Sequence, residues 1–459
     1  MIVNRVERHI INKKHKIFHQ VDNFSYISKN LYNYANYLIR QTFILTSKIE
    51  DNIEINQDQK EFINWINLKV DEFNDYKQEN FNKKQLKGKL LDKDFKPLNY
   101  FNKDHKYLGY DFVEFLASKN ENYNLLMAQV AQQTLRVLDK NWKSFFEGIK
   151  KWSKCKDSFT GKPKLPKYKK KNGRYNLYFT NQNCKIINGF IQFPKCFDKF
   201  KLKTNVRDNL QQVRIKPLGN QYVIEIVYQK NIEQTDFSSK NICGIDLGLN
   251  NFATLSNNVG TIPIIINGKG IKSINQFYNK QLALLKSDLK KRHNKDWSNK
   301  LQRLTNYRNN KIDDFIHKIS KYIINYCIFQ EIDTVVIGKN DKWKQKSKMS
   351  KKVNQQFIQI PHAKFINKLI YKCEDNKIKV ILTEESYTSG TSFLDNELPI
   401  KENYNKTRRK FRGLFVSNNG IKINADVNGA YQIIKKVFPN VFTEGIEGVG
   451  LYPIRVNIA

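Results

Sequence analysis

No two of the six cysteines, Cys155, Cys184, Cys196, Cys243, Cys327 and Cys373, stand at the C-x-x-C spacing of a zinc ribbon. Six thiols scattered over 459 residues make no disulfide framework either. Long apolar runs are also missing. Nothing approaches the ~18 residues of a membrane span, and the opening MIVNRVERHI carries charges where a secretory leader has its apolar core. A soluble protein of the reducing cytoplasm is expected, with no membrane partner. Acids are scarce beside bases, 43 against 80, which leaves a formal charge of +37. An excess of that size repels itself unless a polyanion neutralises it, so nucleic acid is the expected partner. A disordered basic tail is excluded, because 40% of the chain is hydrophobic, with 30 Phe, 23 Tyr and 5 Trp to build cores. The length predicts two or three domains of ~150 residues.

Residues 1 to 12 read as a strand, and from about Tyr26 the spacing of Leu31, Tyr34 and Leu38 predicts a helix. The polar stretch from Glu50 to Lys106 reads as polar helices and loops. A helix is predicted over roughly 122 to 150 from Leu135, Leu138, Trp142 and Phe145 on one face. Between Lys140 and Arg174 lie thirteen Lys or Arg against two acids, interleaved with Trp142, Trp152, Phe159 and Tyr168. Cations alternating with aromatics neutralise phosphates and stack bases at once, which suits single strands and irregular RNA. The alternative is a solvated loop, given Pro163 and Pro166. Four short alternating segments follow, YNLYFTNQ, KIINGFIQFP, LQQVRIKPLG and QYVIEIVYQK, which predict a small antiparallel barrel or sandwich.

At Asn241 the pattern changes to three short apolar strands, then two long helices over Lys272 to about Gln330, a stretch without proline or glycine. DTVVIG (333–338) and KIKVILTEE (377–385) read as buried strands flanking a helix over 361–375, and a last helix starts near Asn424. This order predicts an α/β layer with helices covering a mixed sheet.

Acids embedded in apolar strands stand out in so basic a chain, because a buried carboxylate is costly unless it is paired or binds metal. Asp246 ends the run ICGI, Glu384 and Glu385 close KIKVIL, and Asp426 lies in the first turn of the last helix. Each has an ordinary explanation: a strand-ending acid, a capped turn, and an acid at a helix N-terminus. Together they can converge on one sheet edge and hold two magnesium ions, a pair ~4 Å apart that serves phosphodiester hydrolysis.

GIDLGLNNFATL, the VVIG strand, TEESYTS and NADVNGAYQII resemble the split nuclease core of the TnpB (OrfB) family, transposon-encoded relatives of CRISPR type V effectors. YNYANYLIRQ, AQQTLRVLDKNWKSFF and GKPKLPKYKKK extend the likeness. The resemblance implies a RuvC-like (RNase H-like) α/β nuclease domain over 236–459. It further implies a wedge-like β-barrel from 1–15 and 165–235, with a helical recognition region over 16–164 between. It implies an RNA-guided, magnesium-dependent DNA endonuclease whose partners are a guide RNA and double-stranded target DNA carrying a short flanking motif. Asp246 matches the first catalytic acid and Asp426 the third. The second match is broken, since Gly338 stands where relatives place a glutamate, and we expect the role to pass to Glu384 or Glu385 on the next strand. Strand parity groups Glu385 with Ile381 and Glu384 with Val380 and Leu382, and does not choose between them if helices cover both faces. Glu385 lies farther toward the open strand end. The insertion at about 388–423 lacks the four zinc-binding cysteines of many relatives, so no zinc is expected. Its basic cluster Arg408, Arg409, Lys410 and Arg412 is either a guide for a strand or a solvated loop. Nucleic-acid contacts are expected from Lys164, Lys167, Lys169, Lys170, Lys171, Arg174, Arg408, Arg409 and Arg412. The missing glutamate also allows an RNA-guided DNA-binding repressor without cleavage, and the same motifs fit a small CRISPR type V effector. A strand-joining transposase is disfavoured, because the chain has no His-hydrophobe-His motif.

Overall fold

The computed structural model describes residues 1–86, 95–233, 239–340, 350–442 and 448–458. The chain divides into two compact units, Ile2–Lys230 and Asn231–Ala459, the latter joined by Met1. In the first unit, β1 (Ile2–Ile11) alternates exposed and half-buried positions. It leads into α1 (Phe18–Glu50), α2 (Gln57–Leu86) and α3 (Tyr110–Ser118). The helix expected over 122–150 is broken in two, α4 (Glu121–Asn124) and α5 (Ala128–Lys154). Asn120 caps the first by accepting the Asn122 N–H (3.0 Å), and Met127 is extended before the second. Leu135, Leu138 and Trp142 are buried as their spacing predicts, and the Trp142 indole N–H donates to the buried Asn36 of α1 (3.0 Å).

The strands β2 (Leu177–Thr180), β3 (Lys185–Ile187), β4 (Phe190–Gln192), β5 (Lys201–Lys203), β6 (Leu210–Leu218) and β7 (Gln221–Asn231) were expected in one barrel or sandwich. They form two sheets, ordered β1-β7-β6-β2 and β3-β4-β5. Asn188 and Gly189, at φ 50° and 75°, close the β3–β4 hairpin with the left-handed backbone of a two-residue turn.

The second unit centres on a six-stranded sheet. Its members are β8 (Ile242–Leu247), β9 (Asn251–Asn257), β10 (Ile264–Asn267), β11 (Thr334–Gly338), β12 (Lys379–Thr383) and β15 (Ile454–Val456). The order is β12-β11-β8-β9-β10-β15. β8, β9 and β10 run antiparallel, and β11 and β12 join β8 in parallel. Side chains alternate between two cores. Cys243, Ile245, Val335 and Ile337 pack with α6 (Lys269–His293), α7 (Asn299–Phe329) and α9 (His362–Asp375). Ile242, Val336 and the half-buried Ile381 pack on the opposite face with α10 (Ala425–Val437). The two long helices expected between 272 and 330 are α6 and α7, and the layer of helices on a mixed sheet is present. α8 (Lys351–Gln359) precedes α9, and the short pair β13 (Phe415–Val416) and β14 (Lys422–Ile423) lies in the insertion before α10. α10 sits close because Gly244 has no side chain: a Cβ there would stand 2.4 Å from the Ala430 carbonyl oxygen. Among the described residues no helix is long and apolar enough to cross a membrane.

Candidate active site

Three elements bring acids together at one end of this sheet. Asp246 is near the end of β8, on the face shared by Ile242 and Gly244, which is the face covered by α10. Asp426 occupies the first turn of α10, where the Asn424 side chain caps the helix by accepting the Asp426 and Val427 N–H groups at 3.0 and 3.3 Å. Glu385 follows β12, and its backbone N–H is held by the Asn340 side chain at 2.9 Å. All three line one cleft of about 350 Å³, with Asn251, Asn340, Arg409, Arg412 and Gly429 among its other walls.

Gly338 explains how Glu385 reaches the cleft. β11 and β12 are parallel neighbours, with Gly338 opposite Thr383. A Cβ on residue 338 would lie 2.7 Å from the Glu385 Cγ and 3.0 Å from its Oε1. The bare glycine leaves the space that the Glu385 side chain fills. Gly429 serves Asp246 in the same way, since a Cβ there would stand 3.1 Å from the Asp246 Oδ2. Glu384, of opposite parity, is exposed and accepts a hydrogen bond from the Ser386 hydroxyl. The structure thus brings Asp246, Glu385 and Asp426 together and places Glu384 outside the cluster.

The electrostatics are those of carboxylates crowded without enough partners. Burial, and then the neighbouring Asp426 charge, push Asp246 up to about 7 despite relief from Arg409. Burial and the Asp246 charge push Glu385 up to about 8. The Glu385 Oε1 is buried and has no hydrogen-bond partner among the described residues. Asp426 is better served, accepting from Asn251 Nδ2 at 2.5 Å and Arg409 Nη2 at 3.1 Å. Oxygen donors short of positive charge and of hydrogen bonds fit a hard divalent cation. Among the described residues, however, no three His, Cys, Asp or Glu side chains stand close enough to enclose a metal ion as they are.

The expected nucleic-acid residues divide sharply. Lys164, Lys167, Lys170 and Lys171 are exposed. Their segment lies along α1, whose Lys29, Asn33 and Asn36 hold the carbonyls of Lys171, Lys169 and Pro166 at 2.8, 2.9 and 3.2 Å. Lys169 is half-buried between the Tyr32 and Tyr175 rings, 4.6 and 4.8 Å from their centroids, and is a packing residue. Arg174 is committed to Asp22 by two hydrogen bonds of 3.0 and 2.7 Å. Arg408 is no phosphate contact either. It is buried and grips both Glu397 oxygens at 2.7 Å, the Asn403 carbonyl at 2.8 Å and the Gly390 carbonyl at 3.2 Å, with Asp395 3.6 Å away. Arg412 is exposed on the cleft and Arg409 half-buried beside Asp426. Asn251, Asn340 and Gly429 carry no signal in the sequence beyond their turns and helix, because their use depends on tertiary approach.

Residues 224–344 match the family model OrfB_IS605, described as "Probable transposase", and residues 362–433 match the Cas12f1-like TNB domain. No curated protein sequence matches. Two solved structures are similar along the chain: a cryo-EM structure of a Cas12f1–sgRNA–target DNA complex and one of a CRISPR–Cas12f ternary complex. The first is 16% identical, with 94% of this chain and 98% of that chain covered at a TM-score of 0.32. The second is 13% identical, with the same coverages and a TM-score of 0.34. Over the two matched stretches, which hold Asp246, Gly338, Arg409, Glu385 and Asp426, the chain is similar to the OrfB_IS605 family and to the Cas12f1-like TNB domain.

Proposed function

We propose that the protein is an RNA-guided DNA endonuclease that hydrolyses target DNA beside a short flanking motif. The observation that carries this reading is the convergence of Asp246, Glu385 and Asp426, two of them held far above the ordinary carboxylate range by burial and by the neighbouring carboxylate charge. Asp246, Glu385 and Asp426 would hold Mg2+, which when bound supplies Lewis-acid stabilisation of the phosphodiester oxygens and a nucleophilic water. The second catalytic glutamate of the relatives has, on this reading, moved from the end of β11 to Glu385, with Gly338 as the space that admits it. Arg412 draws the scissile strand to the cleft, and Arg409 neutralises Asp426 until a cation does so.

Further parts of the reading follow the family. Residues 1–15 and 165–235, with their strands in two sheets, form a wedge-like domain, 16–164 a helical recognition region and 236–459 the RuvC-like nuclease, working in the cytoplasm. A guide RNA is the structured polyanion that the charge of +37 demands. The insertion needs no zinc because Arg408 gathers its segments. The test is to sequence the RNA that copurifies with the protein, then to supply a target complementary to it with Mg2+. Cleavage that requires both supports the reading, and specific cleavage by RNA-free protein sinks it. Target binding without any cleavage favours the repressor reading.

A further inference from the structure

A large cavity of the first unit lies far in sequence from the acids. About 1270 Å³ in volume, it opens between α2, the start of α3, α5 and β6. That exceeds the ~300–1,000 Å³ of a small-molecule pocket. Six cations line it, Lys77, Lys96, Arg136, Lys140, Lys143 and Arg214, against two acids, Asp111 and Asp139. Three of the cations are tied: Lys143 to Asp139 at 2.8 Å, Lys77 to Asp111 at 3.6 Å, and Arg214 to Glu225 at 3.2 Å. Lys96 and Lys140 stand exposed on the rim. The walls are aromatic. Phe73 and Phe112 are buried with ring centroids 5.3 Å apart, and Phe81 and Phe95 pair at 6.1 Å. Arg136 is exposed, and its guanidinium lies over the Tyr110 ring at 4.5 Å.

We infer that this cavity binds a short run of unpaired nucleotides. A planar guanidinium already backed by a tyrosine is a ready platform for a base, and the rim lysines sit where flanking phosphates would need neutralising. A duplex buries its base faces in its own stack and would use the cations but not the aromatic walls. The excess of four positive charges disfavours an apolar or cationic ligand. This inference rests on the proposal that the chain binds nucleic acid, and it adds a site that the lysines at 164–171 do not include. The strand is either the copurifying RNA or a strand of the DNA target.

The test uses the complex purified from cells fed 4-thiouridine. One sample is irradiated directly. A second, unlabelled preparation is irradiated after mixing with a single-stranded oligodeoxynucleotide containing 5-iododeoxyuridine. Cross-linked peptides are then mapped. We expect the α5 peptide containing Gln133 to Lys143 to be cross-linked in one arm. The RNA arm would identify the copurifying RNA and the DNA arm a target strand. In an Arg136→Glu/Lys140→Glu variant, changed at two exposed positions, that cross-link should fall at least fivefold with an unchanged melting temperature. Arg136→Lys, which keeps the charge but loses the planar face, should also weaken it. The inference is overturned if neither arm reaches the cavity, or if the double variant cross-links there like the parent. Cross-links elsewhere with none here sink the cavity alone. A preparation that carries no RNA and cross-links no DNA sinks the wider reading as well.

Discussion

Two clusters of buried charge lie within the second unit, and they are built on opposite principles. Around Arg408, burial raises the cost of the Glu397 charge, yet the bidentate guanidinium and the Ser392 N–H outweigh it and hold Glu397 below its ordinary value. The charges there meet opposite charges or carbonyls and fix segments 390, 395–397 and 403 of the insertion, although the Arg408 Nε is buried without a hydrogen-bond partner among the described residues. Around Asp246 the balance fails: two acids are raised and, among the described residues, one carboxylate oxygen is left without a hydrogen-bond partner. A charge-balanced ion cluster organises a fold, whereas one with excess negative charge is costly unless a cation completes it. The difference separates Arg408 from Arg409, adjacent in sequence and opposite in role.

The sharpest way to break this comparison is to remove the unsatisfied acids. Asp246→Ala should reduce target cleavage by on the order of 10³ or more, equivalent to about 4 kcal/mol in the barrier, while copurified RNA and target binding persist. Glu385→Gln should approach the same loss, and Glu384→Gln should stay within about twofold of the parent. Cleavage assays on immobilised target separate binding from hydrolysis. Equal loss in both Gln variants would show that the exposed Glu384 also serves the site.

The complementary change is Arg408→Ala, which strands Glu397 and Asp395 without their counter-charge. Breaking a buried ion pair costs roughly 3 kcal/mol or more, so the unfolding transition should drop by several degrees. Arg408→Lys should not restore it, because an ammonium cannot bridge both Glu397 oxygens and the two carbonyls. Calorimetry of the full chain reads this. If elemental analysis finds one zinc per chain and chelation lowers the transition as far as Arg408→Ala does, Arg408 is not the organising centre.

Much of this contrast was legible in the sequence, and the missing part has a definite cause. Alternation of Val335 and Ile337 against Val336 and Gly338, or of Glu384 against Glu385, follows from strand periodicity alone. What periodicity cannot supply is the face on which α10 lands, and that placement turns parity into a choice of Glu385. Asp246 and Asp426 were readable because an acid beside an apolar run is conspicuous. Arg408 was not, because a basic cluster in a loop has the same composition whether its guanidinium faces solvent or a buried carboxylate. The single predicted helix over 122–150 failed for a local reason: the Asn120 cap and the extended Met127 interrupt a face whose apolar spacing continues past the break. The strands expected as a barrel or sandwich are divided between two sheets, β1-β7-β6-β2 and β3-β4-β5, because strand pairing partners, unlike strand positions, are set by tertiary register.

The mildest test concerns pH. In the absence of a cation, Asp246 and Glu385 hold their protons to about 7 and about 8, whereas in the unfolded chain both release them near pH 4. Between those limits the folded state binds more protons than the unfolded state, so these two groups make stability fall as pH rises from about 4 to about 8 and level off above. A cation in the cleft favours the deprotonated acids and opposes that fall. The increase in melting temperature caused by 10 mM Mg2+ should therefore be larger at pH 8.5 than at pH 6. An Asp246→Asn/Glu385→Gln variant should show both a flatter pH dependence without Mg2+ and almost no Mg2+ increment. Thermal melts from pH 5.5 to 8.5 measure this without any nuclease activity. An increment equal at every pH, and equal in the variant, would mean that the two acids are satisfied as they stand and that the contrast with Arg408 is one of geometry alone.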